Sequence, residues 1–183
     1  KAKSANGAFK LAPGCYIVWM SEQGFFLING FYAAMRAEYV APTAVVSWYV
    51  VSWPEEKLSW GDFRALVLGA TDPTTASSSS IRAKVLANCK AMGLSFVPNT
   101  GKNCVHGSAS PLEAFNERRI WVGAQTRTDS FGAALIAAGL TTQQVDWMCS
   151  NPTVDGKPLF DIVEDTNTSD CLKTLVDIAK KAK

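Results

Sequence analysis

What this chain has little of bounds it first. It contains a single histidine, His106, so any imidazole chemistry belongs to one position. It has no excess of one charge. Eighteen Lys and Arg against 16 Asp and Glu leave a formal net charge of +2, with 19% charged residues overall, which points away from a strongly basic nucleic-acid binder and from a disordered segment. It has no long hydrophobic run: the best stretch, Ala44 to Trp53 (AVVSWYVVSW), is strand-length and well short of the roughly 18 apolar residues a membrane span needs. The chain is therefore not expected to span a membrane. Its five cysteines include no CxxC pair and are odd in number, which argues against a zinc site or a disulfide framework and for a reducing intracellular compartment. The first residue is Lys1 rather than methionine, as in a fragment or in a form processed for the cytoplasm or an organelle after presequence removal. A phosphate-binding glycine loop is also missing. Gly101-Lys102-Asn103 has the end of one, but Asn103 replaces the required Ser or Thr and Gly93 lies too far upstream.

What is present is a globular chain: 183 residues, 48% of them hydrophobic, suffice for one compact core, or one domain with an appendage. Gly14 to Met20 reads as a buried strand, Phe31 to Tyr39 as a helix and Ala44 to Trp53 as a second strand. Trp48, Tyr49 and Trp53 are expected in the core. A helix is expected over Trp60 to Leu68 and another from Ile81, with Gly93 as its stop. Ser110-Pro111-Leu112-Glu113 has the form of a capping box with proline at the first helical position, opening a helix to about Arg119. Beyond Val122, helices are expected near Phe131 to Ala138, near Thr142 to Met148 and from Ser169. The last carries the apolar stripe Leu172, Leu175, Val176 and Ala179. Asn167-Thr168-Ser169 has the form of a glycosylation acceptor, a triplet that recurs by chance.

His106 lies in Asn103-Cys104-Val105-His106-Gly107-Ser108-Ala109-Ser110, an imidazole beside a glycine and just ahead of the capped helix. Three further motifs accompany it: Gly69-Ala70-Thr71-Asp72-Pro73, Ser80-Ile81-Arg82 and Glu117-Arg118-Arg119-Ile120-Trp121. In this order, and with the Thr71 to Arg82 and His106 to Glu117 spacings, the set resembles the signature of nucleoside diphosphate kinases over about Gly14 to Val122. The resemblance implies an α/β (α+β sandwich) fold with a ferredoxin-like antiparallel sheet covered by helices. It also divides the chain into an N-terminal arm, residues 1–13, a kinase-like domain, residues 14–122, and a C-terminal helical extension, residues 123–183.

Carried onto these positions, the family mechanism makes His106 the nucleophile that takes the γ-phosphoryl group of a nucleoside triphosphate and passes it to a diphosphate. Glu117 would orient the ring through its other nitrogen. Thr71 and Arg82 would bind phosphate oxygens, Asn103 the sugar hydroxyl, and Ser108 the phosphate. Mg²⁺ would bridge the phosphates. The chain departs from the pattern in charge. The family's phosphate-binding lysine falls in Val18-Trp19-Met20-Ser21, which has none. A family arginine corresponds to Ala65, with Arg64 one position away as the substitute, and Ala109 stands where the family has aspartate. The catalytic tyrosine and the nucleotide-clamping helices have no counterpart. Two functions follow as expectations: a divergent enzyme with weak phosphoryl transfer through phospho-His106, or an inactive accessory subunit of a larger assembly, with protein partners docking through the C-terminal extension. Neither reading involves nucleic acid, and the shortened first half argues against the family's standard hexamer.

Overall fold

The computed structural model describes residues 8–12, 15–28 and 31–181. They form a mixed α+β protein with two small antiparallel sheets and several helices. The chain divides into two compact units, Lys1–Val51 and Ser52–Lys183.

In the first unit, β1 (Ala8–Ala12), β2 (Cys15–Met20) and β3 (Phe25–Ile28) make a meander in that order. The β2–β3 hairpin pairs Ile17 with Ile28 and Met20 with Phe25. It closes through Ser21 to Gly24, where the Gly24 N–H donates to the Met20 carbonyl at 2.8 Å. Helix α1 (Phe31–Val40) follows. The expected strand over Ala44 to Trp53 does not form: residues 44–54 are irregular, and Val45, Trp48 and Tyr49 are exposed. β-Branched and aromatic residues favour a strand only where a second strand accepts their backbone groups, and among the described residues none pairs with this run. Trp48 and Tyr49 are accordingly not core residues.

The second unit begins with Trp53, half-buried and stacked on Phe63 at 4.3 Å between ring centroids. Helix α2 (Trp60–Asp62), capped by Ser59, continues as a π-helical turn, Phe63–Leu68, that stops at Gly69. Gly69 has φ +96°, and a Cβ there would lie 2.4 Å from the buried Ser80 hydroxyl, so both backbone angle and space require glycine. Helix α3 (Ile81–Asn88) is N-capped by Ser80 and ends four residues before the expected Met92, because the chain turns from Cys89 onward towards Gly93 at φ +76°.

Helix α4 (Pro111–Val122) starts as expected, the Ser110 hydroxyl accepting from the Glu113 N–H at 3.2 Å, and runs three residues past Arg119 to a left-handed Gly123. The second half of the capping box is not made; Glu113 turns elsewhere. Helices α5 (Ser130–Ala137) and α6 (Thr142–Cys149) follow, then a Thr153–Val154/Lys157–Pro158 hairpin (β4, β5), α7 (Leu159–Val163) and α8 (Thr168–Lys181). Leu112 and Phe115 of α4 are fully buried in one core with Leu135, Val145, Met148, Leu159, Val163 and Leu175. The C-terminal stretch thus shares its core with α4, and the Leu172–Ala179 stripe packs against that core. All five cysteines are free thiols. No helix is long and apolar enough to cross a membrane among the described residues.

Candidate functional site

Two loops and two helix starts bring the sequence-predicted residues together. Arg82, in the first turn of α3, donates from Nη1 to the Gly69 carbonyl at 2.6 Å and from Nη2 to the Val105 carbonyl at 2.9 Å. Asn103 Nδ2 donates to the Thr71 carbonyl at 3.0 Å, while its Oδ1 accepts from the Val105 N–H. The 69–73 and 103–108 loops are therefore laced to each other by side chains from both motifs. Thr71 contributes its backbone to this lacing and is itself exposed.

The loop then delivers His106 to α4. His106 Nε2 lies 2.7 Å from Glu117 Oε1, and the Ser108 hydroxyl donates to Glu117 Oε2 at 2.5 Å. Both carboxylate oxygens of Glu117 are thus committed. A carboxylate accepts, so Nε2 carries the proton and the lone pair of neutral His106 resides on Nδ1. The imidazole is 65% exposed, which leaves that face open to a ligand. Gly107 permits the approach: a Cβ there would sit 2.1 Å from the Leu68 side chain, itself buried. The Glu117 hydrogen bond raises the His106 pKa above its ordinary 6.5, outweighing burial. Burial raises Glu117, but the bonds from His106 and Ser108 outweigh it and hold this carboxyl below its usual value.

Part of the charge in the site comes from residues that the sequence did not single out for it. Glu113, one turn before Glu117 on α4, is pushed up to about 7 by burial first and then by the charges of Glu117 and Glu164. Arg64, expected at the nucleotide, instead donates from Nη1 to Glu164 Oε1 at 3.0 Å and to Asp165 Oδ1 at 2.5 Å. The turn bearing this pair, between α7 and α8, is fastened to the same loops. The Asp165 N–H donates to the Ala109 carbonyl at 2.9 Å, and Trp60 donates its backbone N–H to Asn167 Oδ1 and its indole N–H to the Ser108 carbonyl. Asn167, the acceptor of the glycosylation triplet, is therefore in structural use. No sequence signal marks Glu164 and Asp165, which lie 100 and 101 positions from Arg64. For Glu113 the capping-box motif was a signal, although it pointed to the helix end rather than the site.

Arg82 differs from Arg64 in meeting no carboxylate. Its Nε is buried without a hydrogen-bond partner, and burial followed by the nearby Arg64 charge lowers its pKa. Its two terminal nitrogens are committed to the Gly69 and Val105 carbonyls, so the unpaired Nε–H carries a desolvation cost that these bonds offset. Among the described residues no group of three or more His, Cys, Asp or Glu side chains could hold a metal ion. A separate cavity of about 520 Å³, lined by Asn116, Arg119, Asp146 and Cys149 among others, contains none of the sequence-predicted site residues.

Comparison with known proteins yields no match to a family model, to a curated protein or to a solved structure.

Proposed function

We propose that this chain is a divergent nucleoside diphosphate kinase-like protein in which His106 accepts a phosphoryl group from a nucleoside triphosphate. The observation that carries the reading is the Ser108–Glu117–His106 chain of hydrogen bonds, which leaves Nδ1 of the neutral imidazole unprotonated. In the step proposed, the Nδ1–P bond forms as the bond between the γ-phosphorus and the β,γ-bridging oxygen breaks, and the diphosphate leaves with that electron pair. No proton has to leave Nδ1. Glu117 offsets the positive charge that the ring gains, and Arg82 would take the phosphate oxygens on releasing the Gly69 and Val105 carbonyls. Reversal with a second diphosphate returns the histidine. Mg²⁺ belongs to this reading as the counter-ion of the nucleotide phosphates. The ferredoxin-like antiparallel sheet belongs to it as well, supported by the antiparallel β1–β3 meander alone.

The expected turnover is slow. Losing one preorganised donor costs on the order of 10²- to 10³-fold, and no lysine corresponds to the family's phosphate-binding one. A specific observation favours the second reading, an inactive accessory subunit with protein partners: Arg64 is already neutralised by two carboxylates. Incubation with γ-labelled nucleoside triphosphate and Mg²⁺ separates the two. The enzyme reading expects an acid-labile, base-stable phosphoprotein that His106→Ala abolishes. Nucleotide binding with no label in the wild-type chain selects the accessory reading, and absence of both removes the nucleotide from either.

A further inference from the structure

Arg64 and Arg82 flank the same residue. The Gly69 N–H donates to the Arg64 carbonyl at 3.1 Å, and Arg82 donates to the Gly69 carbonyl at 2.6 Å. Their surroundings are nevertheless opposite, since Arg64 is held by Glu164 and Asp165 while Arg82 has an unpaired buried N–H. We propose that the Glu164–Asp165 turn is a carboxylate latch that occupies Arg64 in place of a polyphosphate, so that nucleotide binds only as the turn is displaced. This inference rests on the function proposed above and concerns regulation of that site.

The charge balance supports it. With the latch closed, Glu164 and Asp165 bring two negative charges to Arg64, and the carboxylates of Glu113 and Glu117 stand nearby on α4. A triphosphate then approaches a centre of its own sign. With the latch open, the two charges of Glu164 and Asp165 are withdrawn from Arg64, and the centre becomes less repulsive to a polyphosphate. The turn is also built to leave. Glu164 and Asp165 are about half exposed, at 48% and 53%, so their release breaks the ion pairs and the Asp165 N–H bond to the Ala109 carbonyl without opening the core that begins at the buried Val163. Asp165 has φ +58°, a left-handed backbone that aspartate and asparagine adopt more readily than other non-glycine residues.

The test compares the full chain with Glu164→Gln/Asp165→Asn. Asparagine tolerates the left-handed angle and keeps the backbone bond to Ala109, so charge is the main change. Calorimetric titration is run with a magnesium nucleoside triphosphate and, in parallel, with inorganic triphosphate. Two partly exposed ion pairs favour a closed turn by about ten to one, so both ligands should bind about tenfold tighter to the double variant. Adding Arg64→Ala should remove the gain, whereas a general charge effect would survive it. Arg82→Ala, which should weaken binding in both backgrounds, reports on the underlying function. Equal or weaker binding by the double variant, with Arg82-dependent binding intact, overturns the latch and leaves the function standing. Absence of binding in every form overturns both. Glu164→Gln alone, checked for native circular dichroism, supplies the same comparison with a smaller gain if the double variant does not fold.

Discussion

Replacing Glu113 with glutamine should stabilise the Ser52–Lys183 unit at about pH 8 and leave it nearly unchanged at about pH 4. Glu113 is partly buried on α4, one turn from Glu117, and its carboxyl is pushed from an ordinary 4.5 to about 7 by burial and by the neighbouring carboxylates. The raised value fixes the sign. Below the unfolded-state pKa both states hold the proton, and the folded state has no penalty. Between that value and about 7 the unfolded chain has lost its proton while the folded one keeps it, so stability falls as pH rises; above about 7 the full penalty remains. The displacement would correspond to roughly 3 kcal/mol at 1.36 kcal/mol per tenfold, an upper bound. Water reaching the partly exposed carboxyl reduces the expectation to about 1–2 kcal/mol. Glutamine keeps the shape and the Ser110 cap, which uses the backbone N–H of this residue. Urea unfolding of both proteins, followed by tryptophan fluorescence across this pH range, reads the difference directly. A gain that does not change with pH would mean that the carboxyl titrates alike in both states, and a loss at about pH 8 would mean that the folded state favours the ionised form; either refutes the reasoning.

The single imidazole gives an independent check: proton NMR titration of His106 should show a pKa above 6.5, and Glu117→Gln should move it back down. An unchanged titration would mean that the 2.7 Å contact does not persist in solution. Asp129 joins α4 to the N-terminus of α5, accepting from Arg118 Nε and Nη2 at 2.7 and 2.8 Å and from the N–H groups of Phe131 and Gly132. Its replacement by alanine should cost about 2–4 kcal/mol in denaturant unfolding, and a loss below about 1 would contradict the pairing. Burial acts to raise the Asp129 pKa, but Arg118 and the backbone N–H groups hold it below 3.8, so its stabilisation is present above that value and is lost as pH falls through the lowered one. Gly107→Ala should lower the thermal midpoint by the equivalent of about 1–3 kcal/mol through collision with Leu68, and a neutral result would show that the loop approaches less closely than described. Phe115→Ala, which empties a fully buried site between α4 and α5, should cost about 3–5 kcal/mol by the same measurement.

The sequence by itself determined what depends on neighbours a few positions apart. Ser110 was legible as a helix cap because the bond it makes spans only three residues, and Ser59 and Ser80 cap their helices over the same span. The α8 stripe follows from helical periodicity, and the His106–Glu117 spacing carried the resemblance that brought those two side chains together in expectation. Whether residues 44–53 become a strand was beyond composition, since a strand exists only by pairing with distant backbone. The charge of the site was hidden for the same reason. Arg64 was read as the substitute for a nucleotide-binding arginine, and the partners it has in the fold, Glu164 and Asp165, come from the far end of the chain. Glu113 resembled a capping residue until burial placed it among other carboxylates. Tertiary structure decided these points because electrostatic coupling and burial act through space, where separation along the chain carries no weight.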